Sequence, residues 1–315
     1  MFDVQKFTAL KLLPPVLVLE PTSRCNMTCD MCPQSKQDTT GDMDTSLALD
    51  VVSQVEGYCE YIQCYFLGEP TVRKDICEFI SRIRAKTNAK IEVSTNLIRF
   101  KDERFIDEFL QCGVDKILCC VEGFTAESHH QLRRTGDYSA SVRSVQKLGL
   151  RSVALGGRVE IVAKCILNRS NEPEIAEYEN FWNAQVGVNA RVTWLNTWAG
   201  TMPNVRGYAV KMCPNGDIPR RPCAELWNKL VVRWDGNVVL CCHDWRSAVV
   251  IGNVRDESLM ALWSGPVIGA IREKHLSGVY DGICGPCIEW STPEEFVSDY
   301  GLDQSAITII NSQVE

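Results

Sequence analysis

The 315-residue chain sets 33 Lys and Arg against 40 Asp and Glu, a formal net charge of −7. That balance argues against a nucleic-acid-binding surface, and the length suffices for a large core plus a smaller appended domain. The 16 cysteines, with no cleavable signal segment and no apolar run long enough to span a membrane, point to a reducing cytoplasm where thiols serve metal or redox chemistry.

Pro15-Val16-Leu17-Val18-Leu19 reads as a buried strand, Val16–Glu20, and leads into Cys25-x-x-x-Cys29-x-x-Cys32. Three thiols at this spacing are a metal signal rather than a packing one. They can hold three irons of a cubane and leave the fourth open. A structural zinc site closes with four ligands, and the next cysteines, Cys59 and Cys64, lie beyond a predicted helix. Further strands are predicted at Ile62–Phe66, Lys90–Thr95, Lys116–Val121, Arg158–Ile166 and Ala190–Trp194. Helices are predicted at Thr45–Gly57, Lys74–Lys86, Lys101–Cys112, Ala126–Leu148 (broken near Gly136) and Glu172–Asn183, from apolar residues at helical spacing. Six alternating βα units imply an α/β fold, a partial (β/α)6 TIM-like barrel with its active site at the C-terminal strand ends.

Polar groups follow successive strands in that order. Gly68-Glu69-Pro70 follows the second, Thr95-Asn96 the third and Glu122-Gly123 the fourth. Each alone is an ordinary turn or cap; together they converge on one point. In Trp194-Leu195-Asn196-Thr197-Trp198, the two tryptophans are expected to pack the open edge of the barrel rather than stack on a substrate. Pro203 to Pro222 reads as a linker. From about residue 213 a second cysteine pattern begins, Cys223-x12-Gly236-x4-Cys241, then Cys284-x-x-Cys287. Leu230–Leu240 reads as a β-hairpin turning at Asp235-Gly236. Four thiolates from a hairpin and a knuckle suit zinc or an iron–sulfur cluster.

The Cys-x3-Cys-x2-Cys triplet and the strand-end polar groups resemble those of the radical S-adenosylmethionine (SAM) superfamily over residues 15–195. The resemblance implies a 4Fe-4S cluster on Cys25, Cys29 and Cys32, whose open iron takes SAM. Reductive cleavage of SAM would then yield a 5′-deoxyadenosyl radical that abstracts a hydrogen atom from substrate. It also implies that Gly68, Glu69 and Pro70 contact the methionyl amino group, and that Thr95, Asn96, Glu122 and Arg133 line the rest of the SAM site. Two positions depart from the family pattern: Met31 stands where an aromatic residue is common, and Leu67 where a glycine is usual.

The C-terminal segment resembles the SPASM domain and its shorter twitch form, through Arg221-Pro222-Cys223, Asp235-Gly236, Ile251-Gly252-Asn253-Val254 and Leu262-Trp263. With no cysteine beyond Cys287, the resemblance implies one auxiliary 4Fe-4S cluster on Cys223, Cys241, Cys284 and Cys287, with Cys213 a rival first ligand. Cys242, next to a ligand, is either a buried core thiol or a hydrogen-atom donor facing the substrate, and it competes with Cys241 for the ligand role. His243 and Asp244 are candidate bases for a substrate proton, or simply hydrogen-bonded hairpin-end residues. Cys59, Cys64, Cys77, Cys112, Cys119, Cys120, Cys165 and Cys213 read as core or surface thiols.

The expected domains are residues 1–205 (partial barrel), 206–290 (auxiliary cluster) and 291–315 (tail or helix). The expected activity is that of a cytoplasmic oxidoreductase. It would oxidise a hydroxyl-bearing carbon of a small sugar or aminocyclitol, with an external donor such as flavodoxin or ferredoxin and no nucleic-acid or membrane partner. Epimerisation through Cys242 and ribosomal-peptide maturation are the alternative reactions. An iron–sulfur electron carrier would leave the Gly68-Glu69-Pro70 site unexplained.

Overall fold

The computed structural model describes residues 13–210 and 219–302. Six parallel strands follow the chain: β1 (Val16–Leu19), β2 (Tyr61–Gln63), β3 (Lys90–Thr95), β4 (Lys116–Cys120), β5 (Glu160–Leu167) and β6 (Val188–Trp194). Helices α1 (Thr45–Val55), α2 (Ile76–Arg84), α3 (Glu103–Gln111), α4 (Ala126–Arg133), α5 (Tyr138–Ala154) and α6 (Ile175–Asn183) cross between or follow them. This is the open (β/α)6 arrangement read from the alternation, with β3 at its predicted bounds. The break between α4 and α5 falls beside Gly136, where an added Cβ would lie 2.6 Å from the His129 ring.

Helix starts follow from local chemistry. Asp44 caps α1 by accepting from the Ser46 and Leu47 amides (2.7 and 3.2 Å), and Asp102 and Asp137 cap α3 and α5 in the same way. The helices bury Val51, Phe79, Phe109 and Leu148 against the outer faces of Leu17, Ile91, Ile117 and Ile161. Alternate strand residues therefore point inward, and several are polar: Gln63, Glu92, Ser94, Lys164 and Lys229. A parallel sheet covered on both faces normally reads as continuous hydrophobic runs, so these inward groups mark a lumen rather than a packed core.

The chain's second part does not stand apart from the barrel. After α7 (Glu225–Asn228), β7 (Lys229–Val232) pairs in parallel with β1, Val16 opposite Lys229 and Leu19 opposite Val232. β8 (Asn237–Val239) returns antiparallel through the Asp235-Gly236 turn, Gly236 having φ +90°, and β9 (Val250–Asn253), not foreseen from sequence, pairs with β8. One nine-stranded sheet results, in the order β6-β5-β4-β3-β2-β1-β7-β8-β9.

Two short helices, α8 (Leu259–Trp263) and α9 (Pro266–Leu276), complete this part, and α10 (Pro293–Tyr300) covers the N-terminal ends of β1 and β2. There Phe296 packs with Val16, Tyr61 and Ala224. The predicted linker is partly structured: Pro203–Tyr208 forms a 3-10 helix, with Val205 and Ala209 buried near Met31 and Trp245. Cys213 lies outside the described residues. No helix among the described residues is long and apolar enough to cross a membrane.

Candidate active site

The loop after β1 carries the cysteine triplet and is held on every side. It leaves and returns through a bridge between Thr22 and Asp42. The Asp30 amide donates to the Leu132 carbonyl (3.0 Å) and the Trp198 indole to the Met31 carbonyl (2.9 Å). On the β2 side the Glu69 amide donates to the Arg24 carbonyl (2.9 Å). Gly68 is required there, because a Cβ would sit 2.1 Å from the Thr22 carbonyl oxygen. Cys25, Cys29 and Cys32 thereby open onto one cavity of about 390 Å³ at the C-terminal strand ends.

The strand-end residues divide into those that face the cavity and those that position them. Gly68, Glu69, Thr95, Asn96 and Arg133 line it. Glu69 is buried, and desolvation raises its pKa. Its carboxylate accepts from the Thr71 hydroxyl (2.6 Å), the Thr95 hydroxyl (2.8 Å) and the Asn96 amide (2.7 Å), which ties the second and third strand ends together. Pro70 does not reach the wall; it opens the 3-10 helix that Glu69 caps. Glu122 does not reach it either. Its carboxylate, 1% exposed, accepts from Arg133 Nη2 (2.7 Å) and the Ile166 amide (2.6 Å). Arg133 in turn directs Nη1 to Cys29 Sγ at 3.9 Å. The guanidinium beside Cys29 opposes the desolvation that raises this thiol's pKa, so a cation is already in place beside a site that would carry thiolates.

The second thiol group gathers around α7 and the end of β8. Cys223 precedes α7 and β7, and Cys241 follows β8, which runs back down the sheet. Burial holds the pKa of the Cys241 thiol up, reinforced by the neighbouring thiols of Cys242, Cys287 and Cys223. Cys223 and Cys284 pack in one cluster with Leu240, and the Arg220 guanidinium holds the knuckle through the Cys284 carbonyl (2.6 Å). Among the described residues, no three His, Cys, Asp or Glu side chains converge on a point that would hold a single metal ion. The donor chemistry of both groups, soft thiols with a neighbouring guanidinium, suits a cluster whose irons each take one cysteine.

Cys241 and Cys242 lie in the turn after β8, closed by the Asp244 amide donating to the Cys241 carbonyl (3.2 Å), and only Cys242 reaches the cavity. Cys242 lines the cavity, donating to Glu225 Oε2 at 3.5 Å with Lys229 Nζ 3.9 Å away. His243 stays behind the wall, its ring 2.7 Å from the amide of Asn196, which does line the cavity. Asp244 differs from the expectation of a base. It is fully buried, and its oxygens accept from the Ala248 and Val249 amides (2.8 and 2.9 Å), so it closes a turn. Cys59, Cys64, Cys77, Cys112, Cys119 and Cys165 are buried thiols, while Cys120, also buried, lies on the cavity wall. Trp194 and Trp198 line the cavity as well, rather than only sealing the barrel edge.

The sequence reading missed the inward charges. Tyr61, Tyr65 and Gln63 donate to the buried Glu92 (2.7, 2.6 and 3.1 Å), Lys229 pairs with Glu225 at 2.6 Å, and Lys164 lines the cavity. The available signal was a charge inside an otherwise apolar parallel strand, as in Ile161-Val162-Ala163-Lys164-Cys165-Ile166.

Comparison with known proteins agrees with this geometry. Residues 19–155 match the radical SAM superfamily, and residues 223–288 match SPASM, an iron-sulfur cluster-binding domain. A tungsten-containing aldehyde ferredoxin oxidoreductase cofactor-modifying protein of Pyrococcus furiosus is 27% identical over 303 residues, covering 79% of this chain and 80% of its own. The S-adenosyl-L-methionine-dependent 2-deoxy-scyllo-inosamine dehydrogenase of Niallia circulans is 23% identical, covering 91% and 98%. The crystal structure of BtrN in complex with AdoMet and 2-DOIA superposes with a TM-score of 0.56 at 19% identity, over 87% of this chain and 93% of that one. With its cysteine triplet, Gly68-Glu69 turn and C-terminal thiol knuckle set in this fold, the chain belongs to the radical SAM superfamily and carries a SPASM-type iron–sulfur domain, so that its cofactors are SAM, a 4Fe-4S cluster and auxiliary iron–sulfur.

Proposed function

We propose that this radical SAM enzyme is a dehydrogenase that oxidises a hydroxyl-bearing carbon of a small sugar or cyclitol. The observation that carries the reading is the cavity itself. It is bordered by Cys25, Cys29 and Cys32 at one end of the strands and by Cys242, next to Cys241, towards the other. A substrate between them would meet a radical source on one side and an electron acceptor on the other. The near-full-length match to a named dehydrogenase supports the same reading. In this division residues 1–205 hold SAM and residues 206–290 the auxiliary cluster.

In the proposal Cys25, Cys29 and Cys32 bind the first cluster. Cys223, Cys241, Cys284 and Cys287 bind a second, of 4Fe-4S type. The bound groups would supply the radical that takes a hydrogen atom and the acceptor for the second electron, which no side chain can do. This chain's residues do the rest. Gly68 lets backbone approach the methionyl group, Glu69 fixes the Thr95 and Asn96 strand ends, and Glu122 aims Arg133. The buried Leu67 and the half-buried Phe66 and Trp198 form a wall that would shield the reaction from water. A one-electron donor of flavodoxin or ferredoxin type would reduce the first cluster.

A second reading, epimerisation, is favoured by Cys242 on the cavity wall, where its thiol could return a hydrogen atom to a substrate radical. The reactions separate cleanly. Reduced, anaerobically reconstituted protein with SAM and a cyclitol panel should form 5′-deoxyadenosine and an equal amount of carbonyl product, with about eight irons per chain. Carbon-bound solvent deuterium in product, abolished by Cys242→Ala, would replace dehydrogenation by epimerisation. Four irons with one zinc would remove the auxiliary 4Fe-4S cluster.

A further inference from the structure

Lys164 is the cation of this cavity that nothing in the protein explains. It lies mid-β5, opposite Cys120 of β4 and Arg191 of β6. Its neighbours Ala163 and Cys165 pack into the core behind the sheet, whereas Lys164 and Ile166 point into the lumen. The other cations near the lumen are neutralised. Arg133 is paired with Glu122 (2.7 Å), Lys229 with Glu225 (2.6 Å), Lys116 with Glu160 (3.4 Å) and Arg191 with Asp299 (2.9 Å). Among the described residues Lys164 has no ion pair and no side-chain hydrogen bond.

The acids around it are already committed. Glu69 accepts from Thr71, Thr95 and Asn96. Glu92 accepts from Tyr61, Tyr65 and Gln63. Glu122 and Glu225 are held by Arg133 and Lys229. Glu69 and Glu92 are occupied by neutral donors, so none of these acids reaches Lys164, and the cavity presents a half-buried ammonium without an ion-pair partner. An ammonium withdrawn from water without a partner is costly, and a ligand oxyanion offsets that cost through charge-assisted hydrogen bonds. A protonated amine placed beside Lys164 would meet a like charge instead. Ser94 on β3 and Thr193 on β6 also line this cavity, supplying hydroxyl groups suited to a polyol.

We propose that Lys164 is a specificity-determining residue that selects a substrate bearing an oxyanion, a carboxylate or a phosphate, over neutral or amino-bearing analogues. This rests on the small-polyol reading above and narrows it away from an aminocyclitol.

The test uses the anaerobically reconstituted full-length protein with SAM present. Four probes are titrated: D-glucuronate, glucose 6-phosphate, glucose and glucosamine, with binding read by calorimetry and thermal shift. At least one anionic probe should bind about tenfold more tightly than glucose or glucosamine, and which one tells carboxylate from phosphate. Lys164→Met should abolish that preference, Lys164→Arg should retain it, and SAM affinity should be unchanged in both. Preference for glucosamine, indifference to charge, no binding of either anionic probe, or an unaltered preference in Lys164→Met would each overturn the proposal. A loss of SAM affinity in Lys164→Met would place the lysine in the cofactor site and overturn it as well. If Lys164→Met fails to fold, loss of the anion preference in Lys164→Gln decides the matter. 5′-Deoxyadenosine formation is measured separately: its absence with the charge preference intact would sink the radical reading and leave this one standing.

Discussion

Glu122 and Arg133 show how a residue can serve a site it does not touch. Glu122 is 1% exposed and binds Arg133 Nη2 at 2.7 Å, while Arg133 reaches towards Cys29. Removing the charge of one partner in a buried pair leaves the other uncompensated, at a cost of about 3–5 kcal/mol. Glu122→Gln should therefore lower the thermal midpoint by several degrees and weaken SAM binding, while the as-reconstituted cluster absorbance persists. Unchanged SAM affinity by calorimetry would refute the positioning role. At this scale the metal-binding candidates were legible, because three thiols spaced on a loop have few other uses. The split between lining and positioning residues was not. Glu122, Pro70 and Asp244 looked like Arg133, Glu69 and Cys242 until their directions were known.

Elements were legible wherever periodicity and caps agreed. α1 starts at Thr45, as predicted, behind the Asp44 cap, and α3 falls within its predicted range with Phe105, Ile106, Phe109 and Leu110 buried. β2 was placed too late, since the chain leaves the sheet after Gln63 so that Tyr65 and Phe66 can turn into the cavity. The C-terminal helix α10 had no assignable role from its sequence. In the fold Phe296 is 1% exposed and Lys229 Nζ lies 4.9 Å from the Tyr300 ring centroid, which places α10 across the lower mouth of the lumen. Phe296→Ala should cost about 3–5 kcal/mol, read as a shift in urea midpoint. A shift under about 1 kcal/mol would mean that the helix does not seal the barrel.

At the scale of the whole molecule, the parallel β1–β7 pair joins the two matched families in one sheet. Glu20, fully buried, accepts from the Leu67 amide (3.3 Å), Arg233 Nε (3.4 Å) and the Trp234 amide (3.2 Å), linking the first strand end to the hairpin. A chain ending at residue 210 would leave an apolar β1 edge unpaired and Glu20 without two of its donors. It should be insoluble or aggregate, and the full chain should unfold in one calorimetric transition. A soluble, cooperatively folded truncation that still binds SAM would show the barrel to be independent.

The amino-acid sequence by itself determined the βα alternation, the two thiol groups and the polar strand ends. Each of these is local: a period, a spacing or a cap acts over a few residues. The tertiary structure alone decided that β7 lies beside β1, that Cys242 faces the lumen while Cys241 turns to Cys223 and Cys287, and that Lys164 stands there unpaired. Those facts depend on which distant strand lies alongside and what faces it across the lumen. Alternation says which residues share a face; only the folded sheet supplies the charges that meet them.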